Sequence, residues 1–427
     1  MCQGLSKAGN LGRGGVAMEY VILGAGAAGI TAARTIRKAD SQGKITMIST
    51  DTQVHSRCML HKFLSHERSA EGISFVDPDF FEKNNIEWKA GVTVTKLDTA
   101  AKRVVTDKGE EISYDRLLIA TGAESFIPPV GNLREAKNVF GLRHLRDAQA
   151  IDALAEKAEH IAIIGSGLVG LDAAYGLMET GKKVSIIEMA DQILPIQLDK
   201  TGAFEYQKRF EKAGATFYLG RKAADTIMNE AGEITCLVLD NGTEITCDLV
   251  IVAAGVRSAV AGMDGEGIII DRGMQVNEYL ETGAEDVYAA GDVTGLSGIW
   301  PNAQKQGETA ALNMCGSKVA YTDRYAMKNT INFFGLVSMC VGIIVPQEGD
   351  TVLVREGASS YKRVILRDGK VAGVLLQGDI SHGGIWQYLI KNEIPVDKIE
   401  KDIFALNFSD FYGIKENGEY VWNTAKL

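Results

Sequence analysis

Two segments of the chain share one pattern of apolar and polar positions. EYVILGAGAAGITAARTIRK starts with an apolar stretch of strand length and passes through a glycine-rich turn into an alanine-rich segment with helical periodicity. HIAIIGSGLVGLDAAYGLMETGKKVSIIEM repeats this plan further along the chain. A strand, a tight turn and a helix in this order are typical of α/β units built on a parallel sheet. The pattern therefore predicts two such units.

Both segments carry glycines in the spacing G-x-G-x-x-G, namely Gly24, Gly26 and Gly29 in the first motif and Gly165, Gly167 and Gly170 in the second. The first glycine permits a tight turn, the second lets the backbone approach a pyrophosphate, and the third lets the helix pack on the strand. The phosphate then lies at the helix N-terminus, where free N–H groups and the helix dipole favour anions. One such motif is weak evidence, but two copies in this context predict two dinucleotide-binding domains.

The acidic residue that usually follows the second strand differs between the two motifs. Glu188 ends the apolar run KVSIIEM of the second motif, at the distance where a carboxylate accepts hydrogen bonds from a ribose 2′-OH. A carboxylate there repels a 2′-phosphate, so NAD(H) is favoured over NADP(H). The first motif has Ser49 and Thr50 at this place, with Asp51 just beyond. The adenosine ribose is therefore expected on Asp51 or on the hydroxyls.

Three further apolar runs end in small residues, as the closing strands of nucleotide domains do. The apolar part of YDRLLIATGAESFIPP ends in ATG, and that of CDLVIVAAGVRS ends in AAG. A third apolar stretch, in ETGAEDVYAAGDVT, leads into a Gly-Asp pair. After about residue 326 the pattern alternates apolar and polar residues with Asp-Gly turn signals, which predicts antiparallel strands. An amphipathic segment, GGIWQYLIKNEI, follows them. This tail is predicted to be a separate α+β domain.

Composition and charge narrow the class of protein. The chain has 427 residues, which is long enough for two or three domains, and its formal net charge is −10. That charge argues against nucleic-acid binding, which needs a basic face. No apolar run approaches the roughly 20 residues that span a bilayer. Residues 1–17 lack the apolar centre of a signal peptide and are expected to be a disordered leader before folded structure starts at Met18.

Cysteine and histidine usage adds little chemistry of its own. Six cysteines without a CxxC pair give no disulfide framework, so a reducing cytoplasm is the simplest setting. The six histidines show no metal-ligand spacing, and no metal is predicted.

Taken together, these motifs resemble the two-dinucleotide-binding-domain flavoproteins of the pyridine nucleotide–disulfide oxidoreductase superfamily. The resemblance covers about residues 18 to 320 and implies FAD on the first motif and NAD(H) on the second. It also implies that Asp292 binds the flavin ribityl chain, that Thr121 and Gly122 line the FAD site, and that the helix opening at WPNAQKQGETAALNM points its N-terminus at the flavin. A helix N-terminus there stabilises the negative charge of a reduced flavin. The candidate cofactor-binding residues are Gly24, Gly26, Ala28, Gly29, Asp51, Arg57, Lys62, Val94, Ala120, Thr121, Gly122, Gly165, Gly167, Leu168, Val169, Gly170, Glu188, Gly255, Gly291, Asp292 and Pro301.

The expected fold class is α/β, with two Rossmann-like dinucleotide-binding domains and a C-terminal α+β domain. In the superfamily the NAD domain is inserted into the FAD domain. The expected domains are the leader at 1–17, a discontinuous FAD-binding domain at 18–129 and 259–325, an NAD-binding domain at 130–258, and a dimerisation or acceptor domain at 326–427. The resemblance allows a homodimer.

The segment Arg57-Cys58-Met59-Leu60-His61-Lys62 separates two branches of the superfamily. The cysteine pair of the disulfide reductases is absent. In NADH:rubredoxin reductases, monooxygenase-type ferredoxin reductases and apoptosis-inducing factor this segment reads R-x-x-L-x-K, as it does here. There the lysine lies by flavin N5 and pairs with an acid after the NAD-site glycines, which is Asp172 in this chain. In NADH peroxidase, NADH oxidase and coenzyme A disulfide reductase, a single redox cysteine lies near the position of Cys58.

The leading hypothesis is an FAD-dependent NADH oxidoreductase in which Lys62 and Asp172 position and tune the flavin. Its electrons pass to an iron–sulfur carrier of rubredoxin or ferredoxin type, which in some homologues serves an anaerobic metalloenzyme. The second hypothesis is a Cys58-dependent NADH peroxidase, oxidase or coenzyme A disulfide reductase, because Arg57 and a nearby flavin can stabilise a thiolate. A lone cysteine in an apolar segment is otherwise a small buried hydrophobe. The third hypothesis is a flavin-bearing redox sensor without enzymatic turnover.

Overall fold

The structure is a computed structural model that describes residues 17–323, 328–397 and 399–422. Nearly all of the predicted leader lies outside these ranges. In chain order the strands are β1 Glu19–Leu23, β2 Lys44–Ser49, β3 Ile86–Ala90, β4 Val94–Asp98, β5 Arg103–Thr106, β6 Glu111–Ser113, β7 Arg116–Ile119, β8 Ala123–Ser125, β9 Val139–Phe140, β10 His160–Ile164, β11 Lys183–Glu188, β12 Thr216–Leu219, β13 Ala223–Met228, β14 Ile234–Leu239, β15 Glu244–Thr246, β16 Leu249–Val252, β17 Val256–Ser258, β18 Val287–Ala289, β19 Lys328–Phe333, β20 Leu336–Gly342, β21 Thr351–Glu356, β22 Tyr361–Arg367, β23 Lys370–Gln377, β24 Tyr412–Ile414 and β25 Tyr420–Trp422.

The α-helices in chain order are α1 Ala27–Ala39, α2 Leu60–Leu64, α3 Phe80–Lys83, α4 Leu145–Ala155, α5 Leu168–Glu179, α6 Lys200–Lys212, α7 Trp300–Met314 and α8 Gly383–Lys391. Short 3₁₀ helices include Arg57–Met59 and Asp292–Thr294. None of the helices in the described ranges is long and apolar enough to cross a membrane.

The described residues divide into two compact units. Unit 1 contains residues 17–129, Leu133–Ala158 and residues 251–323. Unit 2 contains Val130–Asn132, Glu159–Val250 and the described residues from 328 onward. The C-terminal sheet therefore groups with the second glycine motif. The domain boundaries predicted from the sequence stay a prediction.

Unit 1 is built on a parallel sheet with the strand order β18-β7-β1-β2-β3. Side chains of β1 alternate between its two faces: Ile22 belongs to the apolar core that includes α1 and α7, and Val21 and Leu23 to the core on the other face. Burial on both faces is typical of parallel sheets and explains the unbroken apolar run of this strand. A three-stranded antiparallel sheet, β4-β5-β6, adds to the second core.

Helices α1 and α7 lie close together on one face of this sheet. A Cβ on Gly307 of α7 would come within 2.2 Å of the Ala28 carbonyl oxygen in α1, so only glycine permits this approach. The two helices begin at Ala27 and Trp300, directly after the glycine motif and after the Gly-Asp segment.

Unit 2 contains the second parallel sheet and the C-terminal antiparallel sheet. Strand β11 pairs with β10 and β12 in parallel, and α5 follows the second glycine motif. The C-terminal strands have the order β19-β20-β23-β22-β21, and α8 packs its apolar face on them through Ile385, Trp386 and Leu389. The predicted fold class, with parallel Rossmann-like sheets and a C-terminal sheet domain, is confirmed.

The two parts of unit 2 are joined by buried polar and aromatic contacts. The Tyr206 hydroxyl in α6 donates to the carbonyl oxygens of Ile331 at 3.1 Å and Leu336 at 2.9 Å. Phe333 packs against Tyr206 and Phe210. Because these side chains are buried, the contacts stabilise one arrangement of the C-terminal sheet on the second nucleotide motif.

Candidate cofactor site

An open cavity of about 600 Å³ lies in unit 1 beyond the carboxyl ends of β1, β7 and β18. Ligands of open parallel sheets bind at this edge. Its lining residues come from both glycine-rich turns of unit 1 and from the starts of α1 and α7: Gly26, Ala27, Ala28, His55, Arg57, Cys58, Ala120, Gly122, Arg143, Ala290, Gly291, Asp292, Gly298, Ile299, Trp300 and Ala303.

The glycines of the first motif shape one wall of this cavity. Gly24 has φ +106°, and a Cβ there would lie 2.2 Å from the Ala120 carbonyl oxygen, so the turn requires glycine. A Cβ on Gly29 would lie 2.0 Å from the Gly24 carbonyl oxygen. By contrast, a Cβ on Gly26 would meet no protein atom within 4 Å, although Gly26 lines the cavity. The space beside Gly26 and the N-terminus of α1 is thus open to an anionic ligand.

The opposite wall is formed by the Gly291-Asp292 segment and the start of α7. Gly291 has φ +84°, and its N–H donates to the buried Gln306 Oε1 at 2.8 Å. The Asp292 carboxylate accepts a hydrogen bond from the Arg143 guanidinium. Pro301 lies in the first turn of α7, where its missing N–H leaves no bond unmade. This wall therefore presents a carboxylate and a helix N-terminus to the cavity.

Arg57 and Cys58 lie in the 3₁₀ helix Arg57–Met59, and both line the cavity. Arg57 donates to the Arg143 carbonyl oxygen at 3.1 Å, and its guanidinium lies 3.6 Å from the Asp51 carboxylate. Cys58 carries a thiol and is exposed. The structure thus brings a positive charge and a thiol to the same cavity.

Lys62 lies one turn further along, in α2, and does not line the cavity. Its Nζ donates to the carboxylate of Glu67, a residue that the sequence analysis did not single out. Asp172, the predicted partner of Lys62, lies in α5 of unit 2. The pairing of Lys62 with Asp172 stays a prediction. Burial, followed by the nearby Lys62 charge, lowers the pKa of His61 to about 4, so His61 is neutral at pH 7.

Of the other predicted cofactor residues in unit 1, Val94 and Thr121 make structural contacts. Val94 lies in β4 within the apolar core, and the Thr121 Oγ1 donates to the Ala259 carbonyl oxygen at 2.6 Å. Gly255 has φ +102° and follows β16. The described residues of unit 1 that were predicted to bind the cofactor but do not line this cavity are Gly24, Gly29, Asp51, Lys62, Val94, Thr121, Gly255 and Pro301.

The second glycine motif repeats the geometry of the first in unit 2. Gly165 has φ +104°, and a Cβ on Gly167 would meet nothing within 4 Å. Leu168 and Val169 begin α5, and Gly170 is buried within it. The Glu188 carboxylate accepts from the Ser166 N–H and Oγ, each at 2.8 Å, and from the Ala190 N–H at 2.9 Å. These bonds fix the carboxylate at the end of β11, beside the glycine turn.

Asp51 belongs to a buried network that the sequence analysis missed. His144 Nδ1 lies 2.8 Å from Asp51 Oδ1, and His144 Nε2 lies 3.0 Å from Glu124 Oε2. Burial opposes ionisation of Asp51, but the hydrogen bond and charge of His144, together with Arg57, lower the pKa of Asp51 to about 2. Arg143, Trp300 and His144 carried no motif that the analysis recognised, although the run GLRHLRDA holds two of them.

Asp51, His55 and His144 offer three ligand-type atoms within 4.8 Å of one another. Each of these atoms already has a hydrogen-bond partner. His55 Nδ1 lies 3.0 Å from the Gln53 carbonyl oxygen, and His55 Nε2 accepts from the Leu145 N–H at 3.2 Å. The guanidinium groups of Arg57 and Arg146 lie 3.6 Å from Asp51. The positive charges favour a hydrogen-bond network over a bound cation here.

Comparison with known proteins identifies the chain. A profile of the pyridine nucleotide-disulphide oxidoreductase family matches residues 18–307. The chain belongs to this family. A second profile, for the rubredoxin NAD⁺ reductase C-terminal domain, matches residues 328–394. Proteins of this family are oxidoreductases, and the family's cofactors are the expected FAD and NAD(H).

Individual relatives of the chain differ in length. The chain is 30% identical over 391 residues to nitrite reductase (NAD(P)H) of Bacillus subtilis, covering 90% of this chain but only 48% of that protein, so it spans about half of that relative's length. It is 30% identical over 386 residues to NADH-dependent phenylglyoxylate dehydrogenase subunit epsilon of Aromatoleum evansii, covering 87% and 91%. The structure of NADH:rubredoxin oxidoreductase from Clostridium acetobutylicum is similar with a TM-score of 0.74 and 27% identity, covering 90% and 98%.

The residues of the cavity fit FAD. The open space at Gly26, the two helix N-termini and the guanidinium groups of Arg57 and Arg143 suit an anionic dinucleotide. When bound, FAD accepts a hydride equivalent from NADH and releases electrons to an acceptor. The open space at Gly167 and the fixed Glu188 carboxylate suit NAD(H) in the same way.

Proposed function

We propose that this oxidoreductase passes electrons from NADH through FAD to a small iron–sulfur carrier of rubredoxin or ferredoxin type. The observation that carries the proposal is the C-terminal sheet domain, because residues 328–394 match the C-terminal domain of rubredoxin NAD⁺ reductases. The chain is also similar to a solved NADH:rubredoxin oxidoreductase, and the similarity covers nearly the whole length of that protein. We further propose that the carrier delivers its electrons to a metalloenzyme and that both act in a reducing cytoplasm. We also propose that the chain forms a homodimer.

The proposed roles of the chain's residues follow from their positions. The N-terminus of α1 at Gly26 would hold the pyrophosphate, and the N-terminus of α7 would favour negative charge on a reduced flavin. Asp292, oriented by Arg143, would accept hydrogen bonds from the ribityl hydroxyls. Glu188 would accept a hydrogen bond from the ribose of NADH and exclude NADPH.

Lys62 and Asp172 are proposed to act on the flavin as positioning residues. In the structure, the Lys62 ammonium donates a hydrogen bond to the carboxylate of Glu67, which lies in the same unit. Glu67 is exposed, and its hydrogen bond to Lys62 lowers its pKa. Such an exposed pair is weak, so Lys62 can exchange Glu67 for another acceptor when the cofactors are bound.

A second candidate function is favoured by one observation, the exposure of Cys58 at the cavity. A thiol beside the flavin would hold a second redox centre, as an NADH peroxidase, an NADH oxidase or a coenzyme A disulfide reductase requires. Such a thiol reacts as the thiolate, and Arg57 beside Cys58 supplies the positive charge that stabilises it.

An anaerobic reductive titration of the purified holoenzyme separates the two functions. A flavin alone takes up about two electrons per FAD, and a flavin with a redox-active Cys58 takes up about four and shows a thiolate-to-flavin absorbance band. We expect about two electrons, no such band, and NADH-dependent reduction of rubredoxin or ferredoxin. About four electrons, with reduction of peroxide or a disulfide, would overturn the iron–sulfur proposal.

Cys58→Ser gives the matching variant test. Electron transfer from NADH to the iron–sulfur carrier should continue at the wild-type rate if Cys58 only packs. Cys315→Ser is the control, because Cys315 is half-buried at the end of α7 and does not line the cavity. A loss of activity in Cys58→Ser but not in Cys315→Ser would assign the chemistry to the thiol.

A further inference from the structure

The segment 143–147 connects the cofactor cavity to a buried histidine. Arg143 contacts two cavity residues, through its carbonyl oxygen to Arg57 and through its guanidinium to Asp292. The Leu145 N–H donates to His55, a third cavity residue. His144 lies at the centre of the segment and is only 3% exposed. The segment that carries His144 therefore contacts three residues of the cavity.

Both ring nitrogens of His144 face carboxylates. Nδ1 lies 2.8 Å from Asp51 Oδ1, and Nε2 lies 3.0 and 3.1 Å from the two oxygens of Glu124. A neutral imidazole has only one N–H, and an ionised carboxylate only accepts. The two short contacts are both hydrogen bonds only when His144 carries two protons, provided that both carboxyls are ionised. Arg57 and Arg146 keep Asp51 ionised. Burial opposes ionisation of Glu124, but the hydrogen bond and charge of His144, followed by the charges of the same two arginines, lower its pKa.

The charges around His144 come from several elements of unit 1, and they balance only with His144 protonated. Four side chains are then positive and four are negative: Arg57, Arg143, His144 and Arg146 against Asp51, Glu124, Asp147 and Asp292. His55 is the other titratable group beside them. Burial lowers the pKa of His55, so it adds no charge at pH 7. Deprotonation of His144 leaves this charge cluster with one excess negative charge beside the cavity.

We propose that His144 is a positioning residue that is held as an imidazolium and makes FAD binding by this site depend on pH. Protonated His144 shares the negative charge of Asp51 and Glu124, so that the positive charges of Arg57 and Arg143 at the cavity are not outweighed. Loss of that proton adds net negative charge beside the cavity, which repels the cofactor phosphates. The proposal holds for any electron acceptor, since it concerns only the cofactor cavity.

The electrostatic balance favours the protonated form. Burial disfavours the charge, but the hydrogen bonds to Asp51 and Glu124 outweigh it, and the pKa of His144 is raised above its ordinary value near 6.5. The positive charge of Arg57 opposes this shift. FAD binding should therefore be strongest at and below neutral pH and should weaken as the pH rises through the raised pKa.

The first experiment is ¹⁵N NMR of the holoenzyme with labelled histidine, with the His144 signals assigned by their loss in His144→Gln. We expect both ring nitrogens of His144 to be protonated at pH 7. A neutral ring at pH 7 would overturn the proposal. The protonation state is measured on the wild-type protein, and His144→Gln serves only to assign the signals.

The second experiment measures the FAD dissociation constant of the reconstituted full chain from pH 6 to pH 9. His144→Gln should bind FAD about tenfold more weakly at pH 6, equivalent to about 1.4 kcal/mol, and should lose the pH dependence of the wild type. His66→Gln is the control, since His66 is exposed and also pairs with a carboxylate, Asp152, at 2.7 Å. Equal weakening of His144→Gln at every pH would show a merely structural role and refute the proposal.

Discussion

Replacing Gly26 or Gly29 by alanine should have opposite effects: the first substitution should weaken FAD binding, and the second should destabilise the apoprotein. Gly26 has φ −83° and ψ −169°, which any residue adopts, and an added Cβ meets no protein atom within 4 Å. Gly26→Ala should therefore change the stability of the apoprotein by less than about 1 kcal/mol, because the gain through the unfolded state is offset by the poorer N-cap that alanine gives to α1. Its methyl group instead fills the space where the cofactor phosphate is expected. FAD affinity should fall by about tenfold or more, about 1.4 kcal/mol.

Gly29→Ala should do the reverse. Its Cβ would lie 2.0 Å from the Gly24 carbonyl oxygen and 3.3 Å from Ile22 Cγ2. The backbone must move by more than about 1 Å to relieve this contact, and such overpacking costs about 1–3 kcal/mol. The apparent Tm of the apoprotein should fall by roughly 2–12 °C, because each kcal/mol is worth about 2–4 °C in a unit of this size.

The assay compares apoprotein melting and FAD titration for the three proteins, with Gly167→Ala as the control for the second motif. Gly167 also has open space around its Cβ position, so Gly167→Ala should raise the KM for NADH and leave FAD affinity unchanged. If Gly26→Ala bound FAD like the wild type, the cofactor would not approach the backbone at Gly26. If its apoprotein melted as low as that of Gly29→Ala, the open space beside Gly26 would be refuted.

Three further predictions concern single side chains. Glu188→Gln should lower the ratio of kcat/KM for NADH over NADPH by about tenfold, and an unchanged ratio would show that the carboxylate does not bind the ribose. The lowered pKa of Asp51 contributes about 2 kcal/mol to the stability of the wild type above pH 3.8, the pKa of this group in the unfolded chain, and this contribution is lost as the pH falls through about 2. Asp51→Asn should lack this contribution, as measured by acid unfolding. Lys62→Ala should shift the flavin potential or slow flavin reduction while FAD still binds; equal potentials and rates would exclude Lys62 from the flavin site.

The parts of the fold that the sequence predicted well are those that local physics determines. The turns at Gly24 and Gly165 require positive φ, and the strand before and the helix after each turn are visible as periodic apolar segments. The C-terminal antiparallel sheet followed from alternation and turn residues. Its grouping with unit 2 depends on the Tyr206 and Phe210 contacts, which join residues far apart in the chain and have no local signal.

The cofactor site shows the same division. Gly26, Ala28, Gly122 and Asp292, which the sequence predicted to bind the cofactor, all line the cavity, and their contact with FAD stays a prediction. The position of Trp300 in the cavity was not predicted, because the sequence marks this residue only as the start of a helix. Its ring packs on Phe75 with centroids 4.7 Å apart, a contact that periodicity does not reveal.

The departure of the first motif from the usual acid has a structural explanation in the same network. At the end of β2, the Ser49 hydroxyl accepts from the Trp88 indole N–H at 3.0 Å and donates to the Asp51 carbonyl oxygen at 2.8 Å. This bond holds the backbone of Asp51, and the carboxylate is directed to His144, which lies far along the chain. The sequence predicts Asp51 or the neighbouring hydroxyls as the ribose ligand, and this stays a prediction. In the structure the Asp51 carboxylate contacts His144, in the segment that also carries Arg143 to the cavity. A carboxylate can therefore support a cofactor site indirectly, by binding a positive side chain such as His144 instead of the cofactor. The spacing of the motif marks the position of the carboxylate but does not show whether it binds the cofactor or another side chain.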